Sequence, residues 1–414
     1  LGNGRIGAML GGEVFQEVIQ LNEESLINGG PLPNQTYHHG NTQNRSQDLK
    51  AIQSLLLANQ NAAATELCQK KLVGLAEGYG AYQNLGEIVI GYQFSETAVT
   101  DYRRELDLES AIHAATFNIG QSKIKRQTFI SAVDQLFVHH FASSEAIQVL
   151  FAFQSEHSHR VEQTENGWRI KGDLSDNHLQ FALELSLIFD EGELEISDEM
   201  LILKNCSEVT LIVGVVTDSA AVFPDYRRPL PLNELKKQIL KGVGFGFNEL
   251  KNRHLWDYQA LFKRVDFQLF ANDDTLPVNQ IVAKGGKQLA ELLYHFGRYL
   301  LLSSSRAGNL PSNLQGVWNE TNNPPWGSDY HLNVNLQMNY WGAAGADLLE
   351  TIEPLVAYVA NLRQPGRLTA AAYRGIISDE ENPENGFIAH TQTTPFGFTG
   401  PGWDFEWGWS PAAI

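Results

Sequence analysis

VAKGGKQLAELLYHFGRYLLLS, residues Val282–Ser303, repeats its apolar positions at helical intervals. Leu289, Leu292, Leu293, Phe296, Leu300 and Leu301 fall along one side, which predicts a long helix with that side buried. Upstream the period changes. From Gly86 to Val216 short β-rich runs such as Glu87–Tyr92, Ala132–Phe141, Gln148–Phe153, Gln180–Phe189 and Thr210–Val216 are separated by turn residues. No helical segment divides them, so they predict a large antiparallel sandwich. Leu49–Leu75 is the one helical interruption in this half, and the glycine-rich opening Leu1–Pro31 reads as strands joined by tight turns. After Phe223 the pattern turns helical, over Leu232–Lys241, Leu250–Val265 and Asp347–Arg363. The expected division is a β-sandwich over 1–235, a helical linker over 236–280 and a helical domain over 281–414.

Just beyond the long helix lies LPSNLQGVWNETNNPPWGSDYHLNVNLQMNYW, Leu310–Trp341. It mixes Trp318, Trp326, Tyr330, Tyr340 and Trp341 with the amides of Asn313, Gln315, Asn319, Asn322, Asn323, Asn333, Asn335 and Gln337. A sugar offers apolar C–H faces to aromatic rings and hydroxyls to amides, so this mixture suits a carbohydrate site. A core segment would not carry so many amides, since each one buried without partners costs about 1–3 kcal/mol. Pro324, Pro325 and Gly327 keep Trp318–His331 out of a helix. If the backbone stays extended, Asn333 and Asn335 share a face, with His331 beside them. The competing reading is a polar loop capped by a helix beginning near Asn335. The carboxylates within reach are Glu320 and Asp329, with Asp404 and Glu406 in a later aromatic cluster; acid–base chemistry alone nominates Glu320 and Asp404.

NLQGVWNE followed by NPPWGSDYHLNVNLQMNYW resembles the signature segment of glycoside hydrolase family 95, the inverting α-L-fucosidases and their α-L-galactosidase relatives. LGNGRIGAMLGGEVFQEVIQLNEESL, DYRRELDLESA, HLWDYQALFKRV, HFGRYLLLSSSR, NLRQPGRLTA and FIAHTQTTPFGFTGPGW extend the resemblance from Leu1 to Trp403. It implies a multi-domain β + α fold: an amino-terminal antiparallel β-sandwich, a helical linker and the first part of an (α/α)6 barrel. It also implies release of terminal α-L-fucose, α1,2-linked, from a glycan with inversion. The alternatives are an α-L-galactosidase of the same family or a non-catalytic carbohydrate-binding protein. By resemblance, Asn333 and Asn335 orient the attacking water, while His331 and His390 contact the sugar. Trp326 is the candidate stacking platform, with core packing its rival; Trp403, Trp407 and Trp409 read as barrel core or rim. A carboxamide is a feeble base and needs a carboxylate to polarise it. The family segments bearing that carboxylate and the glutamic general acid match nothing in 342–414, so both are expected beyond Ile414. Asn22-Glu23-Glu24 reads as a tie between sandwich and barrel, and Ile27 stands where the family usually has Trp.

A chain of 414 residues needs two or more domains. A net charge of −18 repels phosphates, which argues against a nucleic-acid partner. It suits a neutral substrate such as a glycan without singling one out; a fucosylated oligosaccharide is what the resemblance implies. No apolar run reaches membrane-spanning length. The two cysteines, Cys68 and Cys206, read as structural thiols. The histidines lack metal-ligand spacing, and GNGRIG lacks the βαβ context of a dinucleotide site, so neither metal nor cofactor is expected. Both ends fall inside motifs and read as trimmed, which leaves localisation open.

Overall fold

The computed structural model describes residues 1–32, 35–269, 276–377 and 386–403. Its first half is built from β1 (Ile6–Leu10), β2 (Gln16–Glu23), β3 (Gly86–Gln93), β4 (Val99–Asp107), β5 (Ile112–Ile119) and β6 (Ser122–Ser131). There follow β7 (Leu136–Gln154), β8 (Ser158–Thr164), β9 (Gly167–Asp173), β10 (Gln180–Ile188), β11 (Glu193–Ile196) and β12 (Leu201–Thr217). Every pairing among them is antiparallel.

The two long strands, β7 and β12, pair with each other and belong to two sheets at once. The first part of β7 pairs with β6 and its last part with β3; β12 pairs with β11 early and β10 late. Register shifts between Leu203 and Glu208 bend the ladder at the change-over. One sheet therefore runs β4-β5-β6-β7-β12-β10-β9-β8, the other β1-β2-β3-β7-β12-β11. Ile88, Ile90, Phe141, Phe151, Leu183, Leu185, Leu211 and Val213 belong to the main core. β12 reads as an unbroken apolar run from Leu211 to Val216 because the second face of the sheet is covered too. There Ala182, Ile212 and Val216 meet Leu235 and Ile239 of α3 (Leu232–Phe262 in chain order below). A Cβ on Gly242 of that helix would lie 2.6 Å from Leu136 Cδ1, so glycine there lets helix and sheet approach.

The predicted helix at Leu49–Leu75 is two helices, α1 (Ser46–Leu57) and α2 (Asn61–Lys71), broken where Asn59 takes φ 57°. α3 is two helical segments joined across Gly246, whose φ 67° and ψ 174° are not helical, in keeping with the two helices expected over Leu232–Lys241 and Leu250–Val265. The predicted helix at Val282–Ser303 is likewise divided, into α4 (Val278–Lys284) and α5 (Gly286–Ser304), because Gly285 sits at φ 64°. Its buried side differs in part: Leu301 is buried as expected, but Leu293 and Phe296 are exposed, and Arg298, Tyr299 and Leu302 are buried as well. The chain continues through α6 (Asn335–Tyr340), α7 (Glu353–Asn361) and α8 (Arg363–Arg374). Cys68 on α2 and Cys206 in the β12 bulge are both free thiols.

Two histidines fasten α3 to the sandwich. The His140 ring stacks on Phe247 at 3.8 Å and bonds Thr210 Oγ1 at 2.9 Å. His254 donates to the Ser110 carbonyl at 2.7 Å and stacks on Phe129. Burial lowers both from an ordinary value near 6.5 to about 4, helped at His140 by Lys125 and Lys251. The unfolded chain therefore binds more protons than the folded one between these values. Stability from these sites is complete above pH 6.5 and falls away as pH drops toward 4. Urea midpoints should fall from about pH 7.5 to about pH 4.5, a span that starts above the ordinary value and covers most of the interval down to about 4. The fall should shrink in a His140→Asn/His254→Asn variant, and equal pH slopes in the two proteins would remove these histidines as the cause.

Candidate active site

The Leu310–Trp341 segment is pinned against the sandwich. Asn22 and Asn319 exchange two bonds, Asn22 Nδ2 to the Asn319 carbonyl at 2.8 Å and Asn319 N to Asn22 Oδ1 at 3.0 Å. Leu310 N donates to Glu24 Oε2 at 2.8 Å, and Tyr82 donates to the Val317 carbonyl at 2.9 Å. Asn22 and Glu24 thus tie sandwich to signature segment. Burial, with Glu23 close by, pushes the Glu24 carboxyl well above the usual range. Ile27 is buried and bridges Tyr82.

Much of the amide density serves the backbone. Asn313 Oδ1 accepts from Gln315 N, Asn319 Nδ2 caps Tyr82 and Thr321 carbonyls, Gln337 Nε2 caps Leu332, and Asn322 bonds Asn84 N and Glu156. A loop without regular structure must satisfy its peptide groups somehow, and side-chain amides do it here. Density alone therefore overstated the number of amides free for a ligand.

Trp326 is set apart from that scaffold. It lies in a 3-10 turn, Pro325–Ser328, where Trp326, Gly327 and Ser328 all take positive φ of 50°, 62° and 47°. Left-handed backbone at Trp and Ser is strained, so it persists only where surroundings impose it. Tyr82 N holds the Gly327 carbonyl at 2.8 Å, and Ser328 Oγ bonds Gln315. The result projects the indole outward, 71% exposed, which removes core packing among the described residues as its role.

The next residues pair with a distant strand-like stretch. Tyr330 N donates to the Thr393 carbonyl at 3.1 Å and Leu332 N to the Thr391 carbonyl at 2.7 Å. That register sets His331 opposite Gln392, on the same face of the pair. His331 Nδ1 lies 2.5 Å from Asp329 Oδ1, and the other carboxylate oxygen accepts the Tyr79 hydroxyl. Asp329 is 3% exposed; burial raises its pKa, while the His331 and Tyr79 bonds oppose that shift. Tyr79 packs edge-on against Phe398 and Trp403, at 5.2 and 4.8 Å. His390 is buried nearby in sequence to that stretch, donates Nδ1–H to the Thr399 carbonyl at 2.9 Å, and has its pKa lowered by burial.

The expected extended backbone at Asn333-x-Asn335 is not what the structure has. Leu332–Val334 form a turn closed by Leu336 N on the His331 carbonyl at 3.0 Å, and α6 begins at Asn335. Side chains two apart on a turn entering a helix do not alternate as on a strand, so the shared-face argument fails there. Asn333 is exposed and its Oδ1 accepts from Val334 N at 2.7 Å; Asn335 is half-buried. Glu320 is exposed, with its carbonyl accepting from Gln20 Nε2. Asp404, Glu406, Trp407 and Trp409 lie outside the described residues.

Sequence reasoning passed over Tyr79 and Gln392. Tyr79 sits in EGYGAY, between Gly78 and Gly80 at φ 76° and 78°; an aromatic between two glycines was the available signal. No cluster of three metal-ligating side chains occurs among the described residues, and no described helix is long and apolar enough to cross a membrane. A cavity of about 300 Å³ lined by Gln93, Glu145 and Lys204 sits on the sandwich and shares no residue with this cluster.

Residues 246–414 match the family described as the glycosyl hydrolase family 95 catalytic domain. Over those residues the chain is similar to glycoside hydrolase family 95. Residues 1–221 match the glycosyl hydrolase family 65, N-terminal domain. The chain is 29% identical to "Probable alpha-fucosidase A" of Aspergillus niger, over 96% of this chain and 52% of that protein. It is 29% identical to "Alpha-L-fucosidase 2" of Arabidopsis thaliana, over 97% of this chain and 50% of that protein. The chain therefore spans about half the length of these curated relatives. A solved structure provisionally described as a kojibiose phosphorylase from human microbiome superposes with a TM-score of 0.51. It shares 11% identity and covers 89% of this chain and 47% of its own. That likeness concerns the fold, and it agrees with an antiparallel β-sandwich followed by helices of the (α/α)6-barrel class.

Proposed function

We propose that the natural, full-length protein is a family 95 glycoside hydrolase that releases terminal α-L-fucose, α1,2-linked, from glycans with inversion. The observation that carries this reading is the grouping within one pinned segment of an outward indole, Trp326, and a carboxylate-held imidazole, His331. The indole offers a flat face to the sugar and the imidazole offers a polar contact. The names of the curated relatives supply the sugar. In this reading Asn333 and Asn335 hold the attacking water at the turn before α6, polarised by a carboxylate, and a carboxylic acid protonates the leaving oxygen. His331 and His390 contact the sugar. The division into a sandwich (1–235), a linker (236–280) and a barrel (281–414) is part of the same reading.

The alternatives differ in simple ways. L-Galactose adds one hydroxyl at C6, and a binding protein would keep the sugar surface without turnover. The test is incubation of the full-length protein with an α1,2-fucosyl oligosaccharide and with the matching L-galactoside. Faster release of L-fucose supports the proposal. Preferential release of L-galactose, or sugar binding with no release of either, would replace it with the corresponding alternative.

A further inference from the structure

His331 is held more firmly than a sugar contact alone requires. Its ring nitrogen Nδ1 lies 2.5 Å from Asp329 Oδ1, and the second oxygen of that buried carboxylate accepts the Tyr79 hydroxyl. The Tyr330 and Leu332 amides fix the backbone on either side of the ring against the Thr393 and Thr391 carbonyls. Tyr79 is itself braced by Phe398 and Trp403. The far nitrogen, Nε2, has no hydrogen-bond partner among the described residues.

A neutral imidazole has one donor and one acceptor, and the partner of one nitrogen decides which is which. A carboxylate can only accept, so it places the proton on the nitrogen facing it. We propose that Asp329, seated by Tyr79, is a positioning residue that keeps the His331 proton on Nδ1, leaving Nε2 as a fixed acceptor for a sugar hydroxyl. In an unpositioned imidazole the Nε2 proton would present a donor in the same place. The site would then read the hydroxyl less well and lose its fixed polarity. The sugar half of this proposal rests on His331 contacting substrate, as proposed above; the position of the proton does not.

The experiment uses the full-length protein carrying 15N-histidine, with the His331 signals assigned by their loss in His331→Gln. The wild type should show Nδ1 protonated and Nε2 bare at neutral pH. Tyr79→Phe, which keeps the carboxylate, should retain that form. Asp329→Ala should shift the proton toward Nε2 and raise KM on the glycoside by about three- to tenfold, the scale of one weakened hydrogen bond, with a smaller change in kcat. A wild-type His331 protonated on Nε2 overturns the proposal. So does an Asp329→Ala variant with unchanged tautomer and KM. Should Asp329→Ala fail to fold, the wild-type and Tyr79→Phe spectra decide. If no glycoside is turned over, the functional reading fails while the spectra still judge the role of Asp329.

Discussion

Asn335→Gly in the full-length protein is expected to lower kcat on an α1,2-fucoside by on the order of a hundredfold or more, the scale of lost general-base or water-positioning help. Asn333→Gly should act in the same direction but less strongly. The Asn333 oxygen already accepts from Val334 N, whereas the Asn335 carboxamide has no partner among the described residues and is the freer to hold water. KM should move much less, because the pair would hold the water rather than the sugar. Asn335 is the first residue of α6, so glycine there costs at most about 1 kcal/mol of helix stability. Asn335→Asp should retain more activity than Asn335→Gly, since a carboxylate can still accept the proton of the water. Steady-state kinetics on all three variants check this, and full activity in the glycine variants would remove the pair from the mechanism.

The largest effect on stability should come from inside the sandwich. Arg126 and Glu17 are each 1% exposed and pair at 3.2 Å. The guanidinium also donates to the Glu13 and Val14 carbonyls and lies 4.0 Å from the centre of the Tyr92 ring. Glu17 keeps one further bond, from Gly12 N at 2.7 Å. Burial already pushes its pKa up, against the pull of Gly12 and Arg126. Arg126→Ala would strand that carboxylate and leave two carbonyls unsatisfied, so the expected loss is about 3–5 kcal/mol. Arg126→Met with Glu17→Gln, which removes both charges, should cost less than the single change. Urea denaturation of the three proteins measures this. A loss below about 1 kcal/mol in Arg126→Ala would mean that the pair is not desolvated as the structure has it.

The division between strands and helices was legible because the hydrophobic period changes after Phe223, and the strands of the sandwich follow that period closely. Features set by single backbone torsions were harder to read. Gly285 breaks a helix whose apolar spacing runs straight through it, and Leu293 and Phe296 stand exposed where that spacing predicted burial. Helical periodicity reports a shared face, not whether a neighbour covers it.

At the candidate site, Trp326 was legible from its place among amides, and His331 from its place beside Asn333 together with the family resemblance. The turn at Leu332–Val334 was not legible, since Asn-x-Asn fits a strand or a helix entry equally and tertiary pairing with Thr391 and Thr393 decides. Tyr79 joins the cluster across 250 residues of sequence, a contact that no local pattern encodes.

The most direct test of the account is the anomeric configuration of the first product. Full-length protein acting on an α1,2-fucosyl oligosaccharide, followed by proton NMR before mutarotation, should show β-L-fucose appearing first, because a water held opposite the leaving group inverts the centre. Appearance of α-L-fucose first would mean a retaining route through a covalent intermediate, and would contradict the assignment of Asn333 and Asn335 to a water.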